Sequence, residues 1–222
     1  MIDILIVNIN EISQEDYENL FASLPPKMQV EVSRYTLKKD KQRTLAGKLL
    51  LLNYLTENTI FTLFDISKTS YQKPYIKNSN LSFNISHSGD YVVCACSKFN
   101  TIGIDIEDTS QQIEFNDFHE VLSGEEFQKI LNATHSLKEF YRIWTGKEGV
   151  LKAEGKGLLG EIKEVELAKN TVFFKNKKYF IFSYSFNNYL LSMIYQNPKE
   201  IRVFKIIKKK KVLVETFKQK IV

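Results

Sequence analysis

The feature that most limits the fold of this chain is a loose pattern that occurs twice. Residues 81–97 run as a strand, a Ser-Gly-Asp-Tyr turn and an apolar strand. Residues 178–195 repeat the order, with Phe186-Asn187-Asn188-Tyr189 as the turn. Each hairpin follows a long Lys-rich helical stretch, residues 40–55 in one case and 137–153 in the other. The copies stand about a hundred residues apart, too far for a solenoid and close to the size of a small domain. That spacing predicts an α/β (α+β) chain of two similar halves, residues 1–100 and 101–222, related by a pseudo-twofold. A site would lie in the cleft between them.

The densest chemistry lies between the hairpins. Ile102, Ile104 and Ile106 alternate with Gly103, Asp105 and Glu107. In a strand, period two puts the glycine and both acids on one face. Further on, Trp144, Glu148 and Lys152 fall at i, i+4 and i+8, one side of a helix. Packed together, strand and helix bring three carboxylates and an ammonium to one place. Three oxygen ligands with room for waters and a phosphate oxygen suit a magnesium ion. Taken singly, each piece also reads as a solvated acidic face or a surface ion pair.

Charge narrows the partners. The net charge is +5, but residues 201–222 hold eight Lys or Arg and one Glu, so the tail carries +7 and the rest −2. A nucleic-acid reading would have to rest on the tail alone. There, apolar and basic residues alternate around Lys208–Lys211. This is either a last strand completing the C-terminal sheet or an electrostatic arm for an acidic partner. Cys94 and Cys96, two apart in an apolar run, make a poor disulfide and have no metal-spaced His, so they read as free buried thiols of a reducing cytoplasm. The first ten residues read as a strand, not a signal peptide, and no apolar stretch approaches the ~20 residues of a membrane span.

Ser13 with Asp16 predicts a capped helix to Leu24, with Tyr17, Leu20 and Phe21 on its apolar side. Helices follow from about Lys27 to Tyr35 and from Asp40 to Leu55. They put Lys27, Arg34, Arg43 and Lys48 within reach of one groove, or on a solvated face. Ser86-His87-Ser88-Gly89 reads as a connection between strands, its hydroxyls and amides a phosphate cradle. Ser123 with Glu126 at N3 reads as a capping box.

Taken in order, these blocks resemble the 4′-phosphopantetheinyl transferase superfamily, and within it the surfactin-type group that activates nonribosomal peptide and polyketide synthetases. The resemblance rests on Gly103-Ile104-Asp105-Ile106-Glu107 and on Trp144…Lys147-Glu148…Lys152. Arg34-Tyr35 with Asp40, Arg43-Thr44 and Gly47, then Lys73-Pro74, then 83–89 and 154–158, extend it. It implies transfer of 4′-phosphopantetheine from coenzyme A to a serine of an acyl or peptidyl carrier protein, releasing adenosine 3′,5′-bisphosphate. Asp105, Glu107 and Glu148 would hold Mg²⁺, with Mn²⁺ as a substitute. Arg43, Lys73, Ser86, His87 and Lys152 would contact the donor's phosphates, and Glu126 is the family's proposed base. A cytoplasmic monomer that binds neither nucleic acid nor membrane is expected. Two readings stand beside it: a metal-dependent nuclease and a non-catalytic carrier-binding homologue. Gly146 and Gly149 depart from the family pattern, and each costs a helix interior roughly 1 kcal/mol against Ala.

Overall fold

Local signals place the first helices where the residues predict. The Ser13 hydroxyl accepts the Asp16 N–H at the start of α1 (Gln14–Ser23), after strand β1 (Ile2–Asn8). Pro25-Pro26 does more than stop α1, because Pro26 is the first residue of α2 (Pro26–Ser33), where its missing N–H costs nothing. α3 (Lys38–Asn58) buries Leu45, Leu50, Leu51, Tyr54 and Leu55 along one stripe. Two short strands, β2 (Ile66–Lys68) and β3 (Pro74–Ile76), pair with each other. Then come the hairpin β4 (Ser82–Ser88) and β5 (Tyr91–Ser97), and the acidic strand β6 (Ile102–Asp108). α4 (Gly124–Leu131) and α5 (Ser136–Glu154) lead to β7 (Glu166–Leu167), β8 (Thr171–Phe174), β9 (Lys177–Phe186) and β10 (Tyr189–Tyr195). β11 (Arg202–Lys208) and β12 (Lys211–Leu213) come last. This computed structural model describes residues 2–155, 161–198, 202–208 and 211–213. Lys156, Gly157 and Leu158, and Lys209 and Lys210 of the tail, lie outside the described residues.

Two five-stranded sheets carry the fold, ordered β12-β11-β1-β5-β4 and β6-β10-β9-β8-β7. Within them the order β1-β5-β4 recurs as β6-β10-β9, with α3 and α5 each following the first strand of its set. The repeated sequence pattern is therefore a repeated topology.

The sheets stack face to face. Ile2, Ile4 and Ile6 of β1, with Val93 and Ala95 of β5, meet Ile102, Ile104 and Ile106 of β6 and Leu191 and Met193 of β10. The opposite face of the first sheet (Leu5, Val7, Val92, Cys94, Cys96) lies under α1, α2 and α3. The opposite face of the second takes α5, where Val150 and Leu151 meet Ile194, Val172 and Tyr179. The result is four layers, helices outside and sheets within. Both cysteines are buried and free. Among the described residues, no helix is long and apolar enough to cross a membrane.

The tail differs from expectation. β11 does not complete the C-terminal sheet. It pairs parallel with β1, Ile2 opposite Arg202 and Ile6 opposite Ile206, so the last strands join the first sheet. Parallel pairing over two hundred residues leaves no local signal for a sequence reading to use.

Candidate active site

Glycines bring the site together. β6 and α5 touch at Gly103, where a Cβ would stand 1.9 Å from the Gly149 carbonyl oxygen. A Cβ on Gly149 would meet Ile194 Cγ1 at 2.6 Å, and one on Gly146 would meet Leu167 Cδ2 at 2.4 Å. The helix glycines that look costly by propensity are the ones that let α5 settle onto its sheet, and α5 runs without interruption from Ser136 to Glu154.

That approach aligns the outward side chains. The Lys152 ammonium pairs with Asp105 Oδ1 and lies 3.3 Å from Glu148 Oε2 and 3.0 Å from Ser86 Oγ. Ser86 donates to Asp105 Oδ1 at 2.7 Å. Trp144 Nε1 donates to Glu107 Oε1 at 3.2 Å and Ser88 Oγ to Glu107 Oε2 at 2.9 Å. Residues from β4 on one sheet and from β6 and α5 on the other thus form one cluster. Among the described residues no group of three or more His, Cys, Asp or Glu side chains is arranged to hold a metal ion: the Lys152 ammonium stands against Asp105 and Glu148, and Glu107 is held by its own donors.

Burial controls the electrostatics. Glu148 is pushed up to about 7 by burial and then by the Asp105 charge, against the pull of Lys152. Glu107 is raised for the same two reasons, and its bonds to Ser88 and Trp144 restrain the rise. Burial works against the Lys152 charge, but Asp105 and Glu148 outweigh it and raise its pKa. Asp105 Oδ2 is buried with no hydrogen-bond partner. The cluster thus carries more negative charge than one ammonium balances, and it holds an unpartnered acceptor.

The residues expected at donor phosphates have definite positions. Ser86, His87 and Ser88 are the last three residues of β4, not a loop; the connection is only Gly89-Asp90. Serine and glycine are turn formers by habit, so the reading as a turn missed the pairing of Ser86 with Val93 and Ser88 with Tyr91. Alternation then sends Ser86 toward Asp105 and leaves His87 on the other face of the strand. His87 has an exposed surface, but the protein packed around its ring lowers its pKa, and the Arg43 and Lys152 charges lower it further. Arg43 uses Nε and Nη2 on the Gly89 carbonyl, at 2.9 and 2.7 Å, and Nη1 on Asp40. Lys73 reaches across to the end of α5, 2.5 Å from the Ala153 carbonyl oxygen. Burial lowers its pKa, with Glu154 opposing.

Glu126 takes the capping-box role its spacing predicts, accepting the Ser123 N–H at 2.9 Å. The same Oε2 lies 2.9 Å from Lys147 Nζ, whose side chain is fully buried and also donates to the Ile162 and Val165 carbonyls. The sequence reading meets Lys147 only as part of the family signature, Asn84 only within a family block and Ser88 only as a hydroxyl of a phosphate cradle. Strict alternation along Phe83-Asn84-Ile85-Ser86-His87-Ser88 was the available signal for the last two.

An α-β-β-α sandwich of two topologically matched sets, with an acidic strand and a Glu-x-x-x-Lys helix at their seam, defines the class, and the relatives agree. Residues 11–99 match the 4′-phosphopantetheinyl transferase N-terminal family and residues 101–193 the 4′-phosphopantetheinyl transferase superfamily. The chain is 35% identical over 193 residues to 4′-phosphopantetheinyl transferase gsp of Aneurinibacillus migulanus, covering 80% of this chain and 77% of that one. It is 34% identical over 152 residues to 4′-phosphopantetheinyl transferase Sfp of Bacillus subtilis, covering 66% and 67%. A mouse relative, L-aminoadipate-semialdehyde dehydrogenase-phosphopantetheinyl transferase, is 30% identical over 65% of this chain and 52% of its own length. The chain belongs to the 4′-phosphopantetheinyl transferase superfamily and is an enzyme of that type.

Proposed function

We propose that this enzyme moves the 4′-phosphopantetheine arm of coenzyme A onto a serine hydroxyl of an acyl or peptidyl carrier protein, with carriers of nonribosomal peptide or polyketide synthesis as first candidates. The serine oxygen attacks the β-phosphorus of the diphosphate. The P–O bond to the adenosine part breaks, and adenosine 3′,5′-bisphosphate leaves with the electron pair. Such chemistry depends on positioning and charge neutralisation more than on a covalent intermediate.

The observation that carries this reading is the meeting of Lys152, Asp105 and Glu148 at the seam between the sheets, beside Ser86. Asp105, Glu107 and Glu148 fit a divalent cation: their oxygens are hard donors, Asp105 Oδ2 is buried without a partner, and Glu148 is pushed toward protonation for want of positive charge. Bound there, Mg²⁺ would supply neutralising charge to the diphosphate. Lys152 neutralises the departing phosphate, and Ser86 fixes its ammonium. Arg43, His87 and Lys73 would favour the donor's phosphates: Arg43 lies close enough for its charge to be felt at His87, and Lys73 ends at the carboxyl terminus of α5. We assign the serine proton to Glu148, the carboxylate that takes up a proton most readily before the cation binds; a bound cation would lower its value of about 7, leaving its second oxygen as the acceptor. Glu126, the other carboxylate offered as a base, has Oε2 committed to Ser123 and Lys147.

The test is the mass of an apo-carrier protein incubated with enzyme, coenzyme A and Mg²⁺. It should rise by one phosphopantetheine, and EDTA or Asp105→Asn should slow this by at least about a hundredfold. No mass change with any of several acidic carriers would sink the transfer reading. A rate indifferent to EDTA would sink the metal assignment and leave the transfer standing.

A further inference from the structure

β4 and β6 are edge strands of different sheets that run side by side without a backbone ladder. Side chains of β4 serve the backbone of β6 instead. Asn84 Oδ1 accepts the Ile104 N–H at 2.9 Å, and Ser88 Oγ accepts the Asp108 N–H at 3.0 Å. Ser88 does a second thing. Having accepted from Asp108, its hydroxyl donates its one proton to Glu107 Oε2 at 2.9 Å, while Trp144 holds Oε1. Glu107 is thereby fixed at both oxygens by groups from two other elements.

The turn that carries Ser88 is fastened from two sides. Arg43 of α3 grips the Gly89 carbonyl with two donors, and Tyr189 Oη of β10 accepts the Asp90 N–H at 3.2 Å. Gly89 sits at φ +54°, and a Cβ there would stand 2.2 Å from Tyr189 Oη, so only glycine lets the turn close against β10. This is more restraint than a two-residue hairpin turn needs for its own sake.

We propose that Ser88 is a positioning residue for Glu107: a hydroxyl on the edge of one sheet holds a carboxylate of the other in the orientation that a divalent cation requires. The proposal rests on the reading of Glu107 as a ligand. Its physical basis is that groups hydrogen-bonded to ligands orient them, and their loss typically costs about ten- to a hundredfold in metal affinity. Asn84 is the internal control, since it joins the same seam and touches no carboxylate.

The experiment measures Mn²⁺ binding to the metal-free full chain, with coenzyme A present, by the electron paramagnetic resonance of free Mn²⁺. Ser88→Ala should weaken binding about tenfold, and Ser88→Thr, which keeps the hydroxyl, should restore it. Asn84→Ala should lower the thermal midpoint but leave Mn²⁺ affinity within about twofold of wild type, because a side chain that holds no ligand has no orientation to lose. Ser88→Ala binding Mn²⁺ as wild type does, or Asn84→Ala losing as much as Ser88→Ala, overturns the proposal. Wild-type protein that binds no Mn²⁺ overturns the ligand assignment itself, and the proposal with it.

Discussion

α3 and α5 occupy matching places in the two sets of strands, yet they bury different things. The buried residues of α3 are Leu45, Ala46, Gly47, Leu50, Leu51, Tyr54 and Leu55, all apolar or glycine. α5 also buries Thr145, Lys147 and Glu148. A buried ion is costly unless paired and hydrogen-bonded, so α5 needs closer partners than α3, whose largely buried Lys48 stands 3.8 Å from Glu31. Lys147 finds them in Glu126 and the carbonyls of Ile162 and Val165, and Glu148 in Lys152 of the same helix. One copy of the motif is built for stability, and the other spends stability on charge. The first copy still contributes to the site, but through neutral hydroxyls at a strand edge and cations around it.

The largest way to break this contrast is to remove the fully buried ammonium of α5. Lys147→Met keeps the volume but leaves Glu126 as an uncompensated buried charge, at a cost of about 3–5 kcal/mol, read by urea denaturation. Glu126→Gln keeps a hydrogen-bond acceptor for Lys147 and Ser123 and should cost less. It should lower turnover without moving the pH profile of kcat/KM. Loss of the acidic limb of that profile in Glu126→Gln would make Glu126 the base and take the role from Glu148.

The next effect compares two glycines. Gly103→Ala drives a methyl into the Gly149 carbonyl, which is backbone and cannot step aside. About 3 kcal/mol of destabilisation is expected, with loss of the contact that aligns the acids. Gly47→Ala in α3 meets side chains and no backbone, Ile85 Cγ2 at 2.9 Å and then Ile85 Cδ1 and Val92 Cγ1 at 3.7 Å; Ile85 is stiff at χ1, but Ala is the better helix former. It should lose less than Gly103→Ala, about 1–2 kcal/mol. Equal losses would mean the two helices approach their sheets under the same constraint.

How far these features could be read from the residues depends on their range. β5 spans Tyr91–Ser97 as its apolar run predicts, and α5 begins and ends within a residue of the periodic stretch. The alternation of Ile102, Ile104 and Ile106 with the acids, and the i, i+4, i+8 series on α5, are local periodicities, so the cluster followed from them once strand and helix met. What failed to show was set by distant partners. Ser86 and Ser88 belong to a strand because Val93 and Tyr91 pair with them, against their own turn preference. β11 chose β1, and nothing within 202–208 names that partner. The glycines of α5 looked like weak points because propensity counts the helix alone and ignores Leu167 and Ile194 above them.

A smaller effect sharpens the part of the contrast that concerns cations. Lys73 directly precedes β3 but ends at the carboxyl terminus of α5, where an ammonium is favoured by the helix carbonyls. As a phosphate ligand, its loss in Lys73→Ala should raise KM for coenzyme A about tenfold and KM for dephospho-coenzyme A much less. As a helix cap alone, it should lower the thermal midpoint and change both KM values equally.

The smallest effect is a pH dependence centred on Glu148 of α5, to which Glu107 of β6, raised for the same reasons, adds with the same sign. Glu148 titrates at about 7 in the folded chain against 4.5 for a free side chain, because burial and Asp105 disfavour its charge. A folded-state value above the unfolded one means that the folded protein holds more protons between those limits. Metal-free stability should therefore fall as pH rises from about 4.5 to 7 and stay flat above. The full shift would correspond to at most about 3 kcal/mol, and with Lys152 beside the carboxylate about 1 kcal/mol is the expected size. That is roughly 2–4 °C in the midpoint for a chain of this length. Glu148→Gln removes the titration, so in EDTA the variant should melt above wild type at pH 8 and close to it at pH 5. Adding Mg²⁺ should raise the wild-type midpoint at pH 8 and leave the variant nearly unchanged, because the cation supplies the charge that the buried carboxylate lacks. A variant that loses as much stability as wild type between pH 5 and 8 would mean that the slope arises elsewhere and that Glu148 is comfortably ionised in the fold, which would also remove the reason for naming it the base.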